Sequence, residues 1–134
     1  SYLREHGAPA TLTALCDHHA VLYGRSGQPV RWQFPVGAGP PVEILPRSRF
    51  LFDSLDAVAD AAVAGAGLSW LPCWLVAGRV RRGELIRVLA EQPGLVFDVH
   101  ALWPRTPLLP MRLRAAIDLL AANLSRLMSN EVGL

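Results

Sequence analysis

The sequence predicts an α/β protein whose parallel sheet carries helices on its faces, and three features between Phe50 and Val80 predict it. The apolar run Phe50, Leu51, Phe52 is short enough for a strand. Asp53 or Ser54 then supplies a capping oxygen for a helix whose apolar stripe is Leu55, Val58, Ala59, Ala62 and Val63. Gly65 and Gly67 end that helix, Leu68 to Leu71 reads as a second buried strand, and Pro72 opens a second helix over Trp74 to Val80. A strand-helix-strand-helix order is the signature of a parallel sheet.

From the amino terminus, Ser1 to Pro9 shows no strong period, and Thr11 can cap a short helical turn over Leu12 to Cys16. Ala20 to Tyr23 reads as a strand, GRSGQP as a turn and Val30 to Phe34 as the returning strand of a hairpin, with Arg31 and Gln33 alternating with Trp32 and Phe34. The segment Pro35 to Pro46 has too much proline for a central strand and is expected to be a loop with an edge strand at Val42 to Leu45. After the central segment, Gly83 closes the second helix and Glu84 to Leu89 reads as a strand. EQPG is a turn, and Phe97 to Trp103 is a further strand ending at Pro104. The longest helix comes last, with Leu113, Ala116, Ile117, Leu120, Ala121, Leu124 and Leu127 as its stripe. Arg112, Arg114, Asp118, Asn123 and Arg126 face water, and the tail SNEVGL is expected to fray.

Composition narrows the function classes. A chain of 134 residues with 51% hydrophobic and 18% charged residues is expected to fold as a globular protein. No apolar stretch reaches the roughly 18 residues of a membrane span, and the start SYLREHGAP has no signal-peptide order, so a cytoplasmic location is expected. The net charge is +2, with all 13 basic residues arginine, too even a balance for direct nucleic-acid binding. Cys16 and Cys73 lack partners at metal-ligand spacing and are expected to be buried free thiols.

Ligands of open α/β sheets collect beyond the carboxyl ends of the strands, which here are the turns at Phe52 to Ser54 and Leu71 to Pro72. A helix start there favours an anion, while the plain alternative is that Asp53 and Ser54 only cap. Other candidate chemistry is weak. The histidines His6, His18, His19 and His100 have no acidic residue at zinc-holding spacing, and His18 and His19 point to opposite faces if they begin a strand. Ser26 in GRSGQ misses a nucleophile elbow at Gln28 and lies in a hairpin turn. The glycines of Gly65-Ala66-Gly67 follow a helix instead of opening one, so they form no dinucleotide fingerprint. Arg79, Arg81, Arg82 and Arg87 read as a solvated helix end.

Taken in order, these residues resemble the effector-binding domain of the LysR-type transcriptional regulators. Tyr2, Leu3, His6, Gly7, Pro9, Leu15 and His18 look like that family's crossing segment, and Leu22, Tyr23, Gly27, Trp32 and Phe34 like the hairpin after it. The strongest likeness runs from Phe52 through the alanine-rich helix to Gly65-Ala66-Gly67-Leu68, Leu71-Pro72, Trp74-Leu75 and Gly83-Glu84-Leu85 with Arg87-Val88-Leu89. Ala14, where an acidic residue is common, and the long proline loop depart from the pattern.

The resemblance implies a type 2 periplasmic-binding-protein-like fold. Residues 1–95 would form subdomain II, residues 96–134 the return strand and helix of subdomain I, and the DNA-binding winged helix-turn-helix is expected to be absent. It implies a sensor without catalysis, cofactor or metal, holding a small, acidic effector between subdomains at Phe52, Asp53, Ser54, Leu55, Leu71 and Pro72. DNA would be reached only through the missing amino-terminal domain, and an uncovered last helix would recruit a second copy into a homo-oligomer. The competing reading is a solute-binding or small enzyme domain of the same α/β type.

Overall fold

The computed structural model describes residues 1–104 and 110–132, with side chains as far as residue 124. The chain divides into two compact units, Ser1–Leu95 and Val96–Leu134.

In the first unit a short helix α1 (Tyr2–His6) leads to a 3-10 turn at Thr13–Asp17, whose Ala14 amide donates to Thr11 Oγ1 at 3.2 Å, the cap expected of that threonine. Strand β1 (His19–Arg25) follows and becomes the centre of the sheet. It pairs antiparallel with the two-residue strand β2 (Gln28–Pro29) through a tight turn in which Ser26 and Gly27 take φ of 50° and 76°. Positive φ at both central positions is the turn geometry that matches strand twist.

The expected hairpin is shorter than the sequence reading. Pairing with β1 ends at the Val30 amide, which donates to Tyr23 O. Strand β3 (Trp32–Phe34) leaves β1 and pairs instead with β4 (Val42–Ile44) as a separate antiparallel ribbon, Trp32 opposite Ile44 and Phe34 opposite Val42. Trp32 and Ile44 are buried, so burying this pair against the core outweighs a longer ladder with β1.

Strand β5 (Arg47–Phe52) runs parallel to β1, with Ala20 opposite Ser48 and Val21 opposite Phe50, so that Arg49 is the extra residue of a bulge. Helix α2 (Leu55–Val63) then packs back on β1 and β5. Its Val58 and Ala59 are fully buried, as is Val21 of β1. On the other face of β1, Ala20 and Leu22 pack in a core with Tyr2, Leu15, Trp32, Ile44 and Leu68. Alternation along β1 therefore serves two cores.

Helix α3 (Cys73–Arg81) starts after Pro72, and Gly83 at φ 72° turns the chain out of it. The strand expected at Glu84 to Leu89 is absent. The amides of Glu84 and Leu85 both donate to the Arg79 carbonyl, and Leu89 has φ 52°, so this backbone is spent on leaving the helix. Val88 and Leu89 still pack on the core. In place of the turn expected at EQPG, a turn forms two residues earlier over Leu89 to Gln92, closed by the Gln92 amide on Leu89 O. Neither cysteine is buried: Leu15 takes the core position beside Cys16, and Cys73 stands at the exposed first turn of α3.

In the second unit, helix α4 (Met111–Val132) spans the expected stripe and continues through most of the tail SNEVGL; the last two residues lie outside those described. Leu113 and Ile117 are half-buried, whereas Leu119 and Leu120 are exposed. Asn123, expected to face water, is half-buried and its Nδ2 donates to Leu119 O at 2.8 Å. Phe97 to Trp103 forms no strand, because the described part of this unit offers no second strand to satisfy its backbone. Among the described residues no helix is long and apolar enough to cross a membrane.

Candidate functional site

The site is built by what lies on either side of β1. On one side β5 runs parallel to it, ending with Phe52 beside Tyr23. On the other, Leu68 forms a parallel bridge to Ala20: the Val21 amide donates to Leu68 O at 2.8 Å and the Leu68 amide to His19 O at 2.9 Å. The expected strand Leu68 to Leu71 is reduced to that one bridge, as Trp70 turns to pack on Phe34 with ring centroids 6.5 Å apart. Gly67 permits this approach, since a Cβ there would lie 2.5 Å from His19 O. All three segments run the same way, with Phe52 and Leu68 on opposite sides of β1.

Beyond Phe52, Ser54 is the cap of α2: its backbone is extended and its Oγ accepts the Ala57 amide at 3.4 Å. Asp53 is exposed and does not cap. The amides of Leu55 and Asp56 belong to the first turn, where a helix provides no acceptor of its own. Leu55 is half-buried, and so are Phe52, Leu71 and Pro72. Phe52, Asp53, Ser54 and Leu55 thus follow one another from the end of β5 into α2, whereas Leu71 and Pro72 follow the Leu68 bridge outside any strand.

Two residues at the carboxyl end of β1 are not marked as site residues by the sequence. Tyr23 lies beside Phe52 in register, and Arg25, two residues on, donates from Nε to Tyr23 Oη at 2.9 Å with its guanidinium 6.0 Å from the ring centroid. Their only signal in the sequence is a strand end before a turn, and the register that sets them next to Phe52 exists only in the folded sheet.

Helices α2 and α3 are joined by an ion pair between Asp60 and Arg79 at 2.6 Å. Arg79 is therefore part of a helix-helix contact, not a solvated helix end. Arg82 instead pairs locally with Glu84, at 2.7 Å and 3.0 Å, and these bonds hold the Glu84 carboxyl below its ordinary range. Among the described residues no group of histidine, cysteine and carboxylate side chains could hold a metal ion.

Comparison with known proteins identifies the lineage of this arrangement. Residues 1–125 match the LysR substrate binding domain. The chain is 33% identical over 105 residues to the HTH-type transcriptional regulator PgrR of Escherichia coli, covering 77% of this chain and 35% of that protein. It is 38% identical over 80 residues to the HTH-type transcriptional regulator PtxR of Pseudomonas aeruginosa, covering 60% and 26%. The regulatory domain of AphB from Vibrio vulnificus aligns with a TM-score of 0.69 at 26% identity, over 91% of this chain and 60% of that one. CrgA, a LysR-type transcriptional regulator from Neisseria meningitidis, aligns with a TM-score of 0.60 at 28% identity, over 71% and 32%. The chain spans about a third of the length of the curated regulators it matches. It belongs to the LysR substrate-binding domain family, with that family's periplasmic-binding-protein-like α/β fold.

Proposed function

We propose that this chain is the effector-sensing part of a LysR-type transcriptional regulator. Residues 1–95 act as its second subdomain and residues 96–134 contribute to the first. The supporting observation is that β5, which leads into Phe52 to Leu55, and Leu68, which leads toward Leu71 and Pro72, run parallel to β1 on its two sides, in a chain of the LysR substrate-binding family. Phe52 supplies an apolar wall, Ser54 and the first turn of α2 supply polar groups, and Leu71 with Pro72 forms the floor.

The proposed ligand is a small carboxylic acid, which is bound and not transformed. Binding shifts the regulator between arrangements only by the difference in its affinity for each. DNA is contacted in the cytoplasm by a part of the parent protein outside these 134 residues. The apolar residues Leu119 and Leu120 of α4 are a surface for self-association. Titrating carboxylic acids while following amide resonances tests the reading. The largest shifts are expected at the amides of residues 52–55 and Leu71 and at the end of β1, Pro72 having no amide to report. Shifts elsewhere only, or conversion of any compound, would overturn it. Sedimentation tests the assembly, with dimers expected; a strictly monomeric chain with α4 intact removes that part.

A further inference from the structure

We infer that Arg25, held in place by Tyr23, is the charge-recognising residue of this site and makes it selective for carboxylates over neutral ligands of the same shape. The inference rests on the reading of residues 52–55 and 71–72 as a small-molecule site. Arg25 is the last residue of β1 and is paired with Gln28 across the tight turn at Ser26 and Gly27, so its backbone is fixed. Tyr23 and Arg25, two apart on a strand, project from the same face, the one Val21 shares. Parallel register sets Tyr23 beside Phe52.

The hydrogen-bond bookkeeping favours an anion. Tyr23 Oη accepts the Arg25 Nε hydrogen, which leaves the tyrosine's own hydrogen available to donate. The outer guanidinium nitrogens of Arg25 add a fork of donors suited to a carboxylate. Among the described residues no carboxylate lies within ion-pairing distance of Arg25, unlike Arg31, Arg79, Arg82 and Arg114, which all have one. On the far side of Phe52, Asp53 and Asp56 put negative charge at the start of α2. The helix end alone is therefore a poor anion site, and a carboxylate settling against Phe52 needs the cation that Arg25 supplies.

The test uses acetate, benzoate and salicylate, each against its neutral amide, followed by the backbone amides of residues 52–55 and the Nε–H resonance of Arg25. At least one acid is expected to move both sets of signals and to bind at least about tenfold tighter than its amide. Arg25→Ala is expected to abolish that preference, Arg25→Lys to restore part of it, and Tyr23→Phe to weaken acid binding while keeping the preference. Arg25 is exposed, so these variants should fold. Equal binding of acid and amide at residues 52–55, or a preference that survives Arg25→Ala, overturns the inference and leaves the site reading standing. If no acid moves the Arg25 signal the inference fails, and if no compound of either kind moves residues 52–55 the site reading fails with it.

Discussion

The Asp60 carboxylate on α2 meets the Arg79 guanidinium on α3 at 2.6 Å, tying together the helix that follows β5 and the helix that follows the Leu68 bridge. Asp60 is 69% exposed and Arg79 only 21%, so the two ends of the pair are not equivalent. Asp60→Asn is expected to cost about 0.5 kcal/mol, because solvent screens the exposed carboxylate. Arg79→Ala should cost about 1–2 kcal/mol, as it also removes a packed aliphatic stem. Urea unfolding in low and high salt checks this: salt should erase most of the first loss and little of the second.

Gly67 and Gly83 both hold positive φ, yet they should respond differently to alanine. At Gly67 the new Cβ would meet the His19 carbonyl carbon at 2.9 Å and its oxygen at 2.5 Å, whereas at Gly83 nothing lies within 4 Å. Gly67→Ala is expected to destabilise by about 2–4 kcal/mol through displaced backbone. Gly83→Ala should cost about 1 kcal/mol from its left-handed conformation alone. Equal losses in chemical unfolding would contradict the close approach of Leu68 to β1.

Tyr2 ties α1 to the start of the sheet. Its hydroxyl accepts the His19 amide at 2.9 Å and bonds His18 Nδ1 at 3.1 Å, while its ring stacks on His6 with centroids 4.3 Å apart. Tyr2→Phe keeps the ring and strands the His19 amide, for an expected cost of about 1–2 kcal/mol. Hydrogen exchange should show His19 losing protection while Leu22 keeps most of it.

The Ser54 cap is legible in sequence but weak in geometry, since its hydrogen bond is 3.4 Å long. Ser54→Ala is expected to cost about 0.5 kcal/mol, the low end for a lost cap. A loss of about 2 kcal/mol in thermal unfolding would mean the serine does more than cap.

Glu84 gives a pH-dependent signal. Its carboxyl is held below the ordinary range by hydrogen bonds from Arg82, so the native pair contributes stability above the unfolded-state pKa and loses it as pH falls through the folded value. Arg82→Gln should move the Glu84 titration upward, as read by its carboxyl carbon resonance. An unmoved titration would show that the pair does not persist in solution.

The readable parts of this fold were those decided by neighbours in the chain. Ser54 before a helical stripe, Thr11 before the 3-10 turn, and Gly83 after Arg82 each act within a few residues, and all three do what their residue types dictate. Partner choice was not readable. Alternation marks Trp32 to Phe34 as a strand but cannot say that Ile44 lies opposite Trp32 in place of a residue of β1. The apolar character of Glu84 to Leu89 was real, since Val88 and Leu89 reach the core, yet burial there needs no sheet. Arg25 carries no local signal for the same reason: it bonds Tyr23, and Tyr23 meets Phe52 only through the sheet register.

The position of β1 also bears on how this chain comes to be made. Both of its parallel neighbours, β5 and Leu68, are synthesised well after it, so in a nascent chain β1 has only the two-residue strand β2 beside its far end until distant sequence emerges. Such long-range pairing slows folding, and a product ending just after Phe52 would keep one edge of β1 open for good. By this order β1 is barest before β5 emerges, and the Leu68 bridge is the last contact to cover it.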